Sequence, residues 1–484
     1  MKKRAIISLV ALVTLFASTG LYYASKLIST GVAYKAKVLC SGVFVSKRNP
    51  ETVLNSDLAV DDLAILRHID AKKDRVTRTS TASLLGLINQ TAAFRPGLGC
   101  TLVFAGYEDR LPVPSDTVIP AFDPKPGVWP EEPAAAKATA NVDQGRLKAA
   151  LEWAFSEPDA KRLRRTRAVV IVHKGRIIAE RYAPGFDKST PLIGWSMTKG
   201  VVNALVGILV GQKKLSLTDR IDMPEWNGLD DGRKNITLNN LLQMTSGLDF
   251  NEDDSDPLAD VTYMLLRAPD MAAYAASKKL AAEPGTRWSY SSGTTNILSR
   301  IIRRAVGDSD YFSFPRRALF EPLGMDSAVI EPDASGTFVG SSFMYATARD
   351  WAKFGQLYLQ NGIWKGRRIL PDGWVHYTTE PAPQAPNHEF GSHFWLKLPK
   401  EYAGAGYSNR LPKDTFHAVG HEAQFVTIIP SRDLVVVRLG LSRFASAWEH
   451  DKFLSKVLEA VRSQGHRELS AINPAPLYLN SYAA

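Results

Sequence analysis

Residues 194–210 read GWSMTKGVVNALVGILV. From Met197 to Val210 the stretch is apolar, free of proline and long enough for a buried helix. Its opening tetrad is Ser196-Met197-Thr198-Lys199, and a spacing of three places Ser196 and Lys199 on one helical face. A helix amino end is electropositive and has free N–H groups. That field, together with burial, favours a neutral Lys199, an amine able to take the hydroxyl proton of Ser196. The Ser196 backbone N–H can also face a developing oxyanion. It is the only Ser-x-x-Lys in the chain. Taken alone, the tetrad also reads as an N-cap serine with a solvated lysine one turn on.

Upstream, the strands Arg167 to Val172 and Arg176 to Tyr182 flank His173-Lys174-Gly175 and read as a β-hairpin. Helices are expected near 238–244, 294–305 and 348–360. Gln424 to Ile429 and Leu434 to Leu439, joined by Pro430-Ser431-Arg432-Asp433, form a second hairpin before a helix from Ala447 to Arg462. Strands early and late with helices between predict an α+β domain over 145–465. It would have one antiparallel sheet built from both ends, flanking helices, and a large helical insertion carrying part of the site.

Inside that insertion, Glu283-Pro284-Gly285-Thr286-Arg287-Trp288-Ser289 leads through a turn into Tyr290-Ser291-Ser292. A tyrosine held near Lys199 can serve as base toward Ser196 and later as acid toward a leaving group. The commoner fate of a tyrosine is a packed ring with a hydrogen-bonded hydroxyl. Ser196-x-x-Lys199 followed by Tyr290-x-Ser292, between two strand hairpins, resembles the serine β-lactamase and penicillin-binding-protein superfamily. The likeness is closest to class C-type esterases and 6-aminohexanoate-dimer (nylon oligomer) hydrolases. It includes Gly194-Trp195 and the stretch from Leu241 to Leu248, LLQMTSGL, and runs from about 165 to 465.

The resemblance implies a β-lactamase-like fold. It makes Ser196 the nucleophile, gives proton transfer to Lys199 and Tyr290, and has Ser292 hydrogen-bond within the site. The resulting acyl-enzyme is hydrolysed by water, with no metal or organic cofactor. The family's edge strand usually carries Lys-Thr-Gly, which this chain lacks. Gly420 and His421 are the best matches there, and Gln424 follows on the oxyanion side. Without that lysine, the recognition of a β-lactam or peptide carboxylate is disfavoured. His421-Glu422 opens like a zinc-protease motif, but Phe425 stands where the second histidine belongs. His421 reads equally as a loop histidine. In the acidic loop Asn251 to Pro257, Asp254 occupies the place where amide hydrolases of this group often carry a tyrosine, which points to a different leaving group. The plain alternative is a solvated loop with Asx turns.

At the amino end, Lys2, Lys3 and Arg4 precede an apolar run from Ala5 to Ala24, about 20 residues, enough to span a bilayer. Residues 1–25 therefore read as a membrane anchor or a cleaved signal. Either one exports the rest and predicts a bacterial inner-membrane protein with a periplasmic catalytic domain, or a periplasmic one after cleavage. Residues 26–110 form an accessory segment containing both cysteines, Cys40 and Cys100. They read either as one disulfide of an oxidising compartment or as two thiols. The proline-crowded 111–144 is a linker, and 466–484 is a tail.

The 45% hydrophobic and 22% charged content excludes disorder and multi-span membrane classes. A net charge of +10 without basic runs gives no case for nucleic acid. The expected partner is a small ester or amide. A D-amino-acid peptidase, a β-lactamase and a catalytically silent receptor remain as rival readings, and oligomeric state is open.

Overall fold

Helix α1 (Lys2–Cys40) is uninterrupted in the computed structural model, which describes residues 2–107, 142–228, 231–404 and 410–461. Nearly all of the expected linker and the whole expected tail lie outside the described residues. No proline occurs before residue 50 to stop the helix, so it runs through the boundary expected at residue 25. By length and composition α1 can cross a membrane, yet 61% of the most apolar 18-residue stretch within Ser18–Val45 is buried within the protein. Val32, Ala36 and Leu39, spaced by three or four, form the buried stripe of its carboxyl half.

That stripe covers an antiparallel sheet, β1 (Asp70–Asp74), β2 (Thr79–Leu84), β3 (Ile88–Arg95) and β4 (Gly99–Leu102), ordered β1-β2-β3-β4. Cys40 and Cys100 are joined by a disulfide that closes a separation of 60 residues. Near it, the buried carboxylate of Glu331, from the main domain, pairs with Lys37. It also accepts hydrogen bonds from Ser41 Oγ at 2.8 Å and the Cys100 backbone N–H at 2.7 Å. Gly99, at φ +69°, must lack a side chain because a Cβ would come within 2.6 Å of Glu331. Further pairs, Arg167–Asp57 and Arg443–Asp62, fasten residues 26–104 to the main domain.

The main domain contains α2 (Gln144–Phe155), β5 (Thr166–His173), β6 (Arg176–Tyr182), β7 (Leu192–Ile193), α3 (Thr198–Gly211), α4 (Leu238–Leu242), α5 (Asp260–Arg267) and α6 (Ser292–Val306). These are followed by β8 (Val329–Ile330), β9 (Met344–Ala346), α7 (Ala348–Leu359), β10 (Phe416–Gly420), β11 (Gln424–Ile429), β12 (Leu434–Gly440) and α8 (His450–Ala460). Its antiparallel five-stranded sheet, ordered β10-β11-β12-β5-β6, joins both ends of the domain as expected. Alternation explains why β5 is apolar throughout. Ala168, Val170 and Val172 face the core shared with α3 and α7, whereas Val169 and Ile171 face the layer of α2 and α8. Between β6 and β10 lies the helical insertion. It is tied back through a small sheet, β7-β9-β8, beside the turn that carries Ser196.

Candidate active site

Ser196 sits on a single 3-10 turn, Trp195–Met197, immediately before α3. Trp195 has φ +47°, a costly conformation for a bulky residue. The surroundings impose it: its indole Nε1–H donates to Glu422 at 3.0 Å, and its ring packs on Phe343 and His421. Thr198 Oγ donates to the Trp195 carbonyl at 2.7 Å, closing the turn. The strained turn leaves Ser196 half-buried while α3 carries Lys199 inward, where it is 1% exposed.

Lys199 Nζ lies 2.9 Å from Ser196 Oγ, 2.9 Å from Ser292 Oγ and 3.1 Å from the Ser341 carbonyl oxygen. Ser341 O can only accept. Ser292 donates its hydroxyl proton to Glu252, so toward Lys199 it too must accept. Two Lys199 N–H bonds are thereby committed, and the direction left faces Ser196. On an ammonium that position is a third N–H; on a neutral amine it is the lone pair. Burial draws the Lys199 pKa down to about 8 against the opposing charges of Glu252 and Asp254. The lone-pair form is therefore accessible near neutral pH.

Glu252 escaped the sequence reading. It belongs to the acidic loop, accepts from both the Ser292 backbone N–H at 2.7 Å and the Ser292 hydroxyl, and is raised to about 7 chiefly by burial. No spacing rule links 252 to 292; the only available signal was a carboxylate in a loop following the LLQMTSGL stretch. That stretch aims the loop. Thr237 caps α4, and Gly247, at φ +79°, passes so near the Ala282 carbonyl that a Cβ would lie 2.1 Å from it. Ser246 Oγ then meets Thr294 Oγ at 3.3 Å on α6, the helix that begins at Ser292.

Tyr290 comes to the same point. Its hydroxyl is hydrogen-bonded with Ser196, and Lys199 Nζ lies 4.9 Å from its ring centroid. Phe390 and Trp395 hold the ring. Burial, reinforced by the Glu252 charge, pushes the phenol far above its ordinary value. A phenol so placed stays protonated at rest, which suits the acid half of the base-then-acid role expected from the motif.

Across the turn, β10 supplies Gly420, where a Cβ would stand 2.1 Å from the Gly194 carbonyl oxygen. Only glycine lets the edge strand approach the nucleophile turn this closely. His421 follows; its Nδ1 hydrogen-bonds Asp254 Oδ2 at 2.7 Å, and Arg443 Nη1 lies 3.4 Å from its Nε2. The two residues named separately from sequence thus form one pair on the rim. Burial opposes a charged His421, but the Asp254 bond and the Glu422 charge raise its pKa overall. Gln424 is placed differently. Its amide is spent on the backbone carbonyls of His421, Glu422 and Gly440 and on the Gly440 N–H, so it braces the loop and turns no group to the site. Among the described residues no group of three or more His, Cys, Asp or Glu side chains converges as a metal centre requires.

The Beta-lactamase family profile matches residues 151–445. A 6-aminohexanoate-dimer hydrolase from Paenarthrobacter ureafaciens is 25% identical over 288 residues, covering 57% of this chain and 72% of that protein. Among solved structures, a Bacillus anthracis protein provisionally named 6-aminohexanoate-dimer hydrolase aligns with a TM-score of 0.52 at 24% identity, covering 61% of this chain and 78% of that one. A family VIII carboxylesterase aligns with a TM-score of 0.51 at 16% identity, covering 66% and 96%. These two likenesses establish a shared fold. Matched over more than half its length in the segment that carries Ser196, Lys199, Tyr290 and Ser292, this chain belongs to the Beta-lactamase family.

Proposed function

We propose that the protein is a serine hydrolase that cleaves an ester or amide through an acyl-enzyme on Ser196. The observation that carries this reading is the buried Lys199 amine, 2.9 Å from Ser196 Oγ, with its other hydrogen-bonding directions committed to acceptors. Neutral Lys199 takes the hydroxyl proton as Ser196 Oγ bonds to the acyl carbon. Tyr290, a protonated phenol beside Ser196, supplies a proton to the departing alcohol or amine. Water then repeats the sequence in reverse and releases the acid. The Ser196 N–H and the approaching end of β10 receive the oxyanion. A relative named 6-aminohexanoate-dimer hydrolase fits the same chemistry, and a family VIII carboxylesterase shares the fold.

A β-lactamase or D-amino-acid peptidase reading is weaker. The edge strand presents Gly420-His421 in place of a free lysine, and Arg443, the nearby cation, is already paired with Asp62 and Glu422. The Cys40–Cys100 disulfide suits an oxidising compartment, so α1 is read as the anchor of a periplasmic catalytic domain.

The test is intact mass after exposure to a small fluorophosphonate. Wild type should gain one adduct, Ser196→Ala none, and Lys199→Ala should react about 10²-fold more slowly or worse. A folded wild type that forms no adduct would remove the hydrolase reading.

A further inference from the structure

Above Ser196 opens a cavity of about 790 Å³ with a predominantly apolar wall. Nearly half of that wall does not come from the family domain. It comes from α1, through Ala24, Leu27 and Ile28, and from the segment after it, through Leu63, Ile65 and Leu66. Its inner end is fixed where Lys37 Nζ stands 4.1 Å from the Phe343 ring, which packs on Trp195, the neighbour of Ser196. From Lys37 back to Ala24 the helix rises about 20 Å. The cavity therefore runs along α1 from the nucleophile toward the membrane-directed end of the helix.

The outer end has the character of a bilayer interface. Leu21, Tyr22 and Tyr23 are exposed on α1, and Lys26 Nζ lies 4.2 Å over the Tyr22 ring. Paired tyrosines at the end of an apolar run of about 20 residues, with a lysine just beyond it, have the signature of the headgroup level. Ile65, Leu85 and Leu87 are exposed at 71%, 81% and 83%. The β2–β3 tip bearing Leu85 and Leu87 points the same way: β3 ends at Arg95, paired with Gly99 beside the Cys40–Cys100 disulfide at the far end of α1, so its start lies toward Leu27. Leu84, at that tip, lines the cavity with Leu27.

From this geometry we infer that the substrate is a long-chain acyl ester held in the host bilayer, its chain drawn along α1 until its carbonyl reaches Ser196. The inference rests on the hydrolase reading above and names its substrate class. In the first step the Ser196 Oγ–acyl bond forms, the acyl–alkoxy bond breaks, Lys199 holds the proton taken from Ser196, and the alcohol leaves with the proton supplied by Tyr290. In the second, water releases the free fatty acid and restores the hydroxyl. The headgroup alcohol departs on the polar side, where Asp254, His421 and Arg443 stand at the rim.

The experiment uses the full chain reconstituted in phosphatidylcholine vesicles. Rates on p-nitrophenyl palmitate and butyrate are compared for wild type, Ala24→Trp and Leu27→Trp, with fluorophosphonate labelling and melting temperature recorded for each. Both sites are exposed, so the indole occupies the mouth without disturbing a core. The palmitate-to-butyrate ratio of kcat/KM should fall about tenfold or more in either variant. A fluorogenic glycerolipid ester should turn over when it shares the vesicle with the protein and not when it is supplied in separate vesicles. An unchanged ratio in a protein that still labels at Ser196 would overturn the long-chain inference alone. Equal turnover from separate vesicles would overturn the bilayer source. Failure to label at all would instead remove the reading on which both depend.

Discussion

One proton is shared between two groups whose affinities burial drives together. Lys199 falls to about 8 and Glu252 rises to about 7, and Ser292 bridges them with its hydroxyl. Moving the proton from the ammonium through Ser292 to the carboxylate removes two buried charges at once. Glu252 is on this account a positioning residue: it fixes which way Ser292 points, and so which Lys199 direction is left for Ser196. Acylation needs the neutral amine, so the fluorophosphonate rate of wild type should climb as pH rises through about 8. In Glu252→Gln the charge that raises Lys199 is gone. Its pKa falls further, and the climb should move to lower pH by about a unit. A variant that merely loosened the loop would lower the rate at every pH and leave the midpoint in place. Of this site, Ser196 and Lys199 were legible because their spacing is local to one helix turn. Glu252 was not, since its partner is forty residues away and only the folded loop brings them together.

At the scale of elements, the approach of β10 to the nucleophile turn depends on a missing side chain. With a Cβ at 2.1 Å from the Gly194 carbonyl, Gly420→Ala must push the strand outward. Gly420 has φ −129°, so alanine meets no backbone strain there and the damage is positional. The acylation rate should drop about 10²-fold while the melting temperature changes by only a few degrees; thermal unfolding beside single-turnover labelling would show both. The elements around the site were readable in advance. The hairpins of β5–β6 and β11–β12 and the helices α3, α6 and α7 carry strong apolar patterns, and each lies within a few residues of its expected place. The sheet β1–β4 was not readable. Strands such as DAKKD and INQTAAFR bury little of their surface, and only pairing plus the cover of α1 makes them strands. The helix also runs through the boundary expected at residue 25, because no proline interrupts it there and its carboxyl half gains a packed face on the sheet.

For the whole molecule, one helix combines the length and composition of a membrane span with a docked carboxyl half. Its second part is docked on protein through the disulfide and the buried Lys37–Glu331 pair, whose side chains are 5% and 0% exposed. Removing one member of such a pair costs about 3–5 kcal/mol, so the helix is fixed to the catalytic domain rather than tethered by a loose linker. On the anchor reading proposed above, this rigid connection sets the height and tilt of the active site above the membrane, which a flexible tether would not. No sequence pattern could disclose this, because it depends on α1 and Trp195 meeting across Phe343. The full chain should accordingly sediment with membranes, resist release by high salt and alkaline carbonate, and dissolve in detergent with its Ser196 labelling intact. Release by carbonate would mean that α1 lies against the protein or the membrane surface and does not cross it. The cavity mouth would then open to water, and the apolar surface at Leu21, Ile65 and Leu87 would have no bilayer to meet.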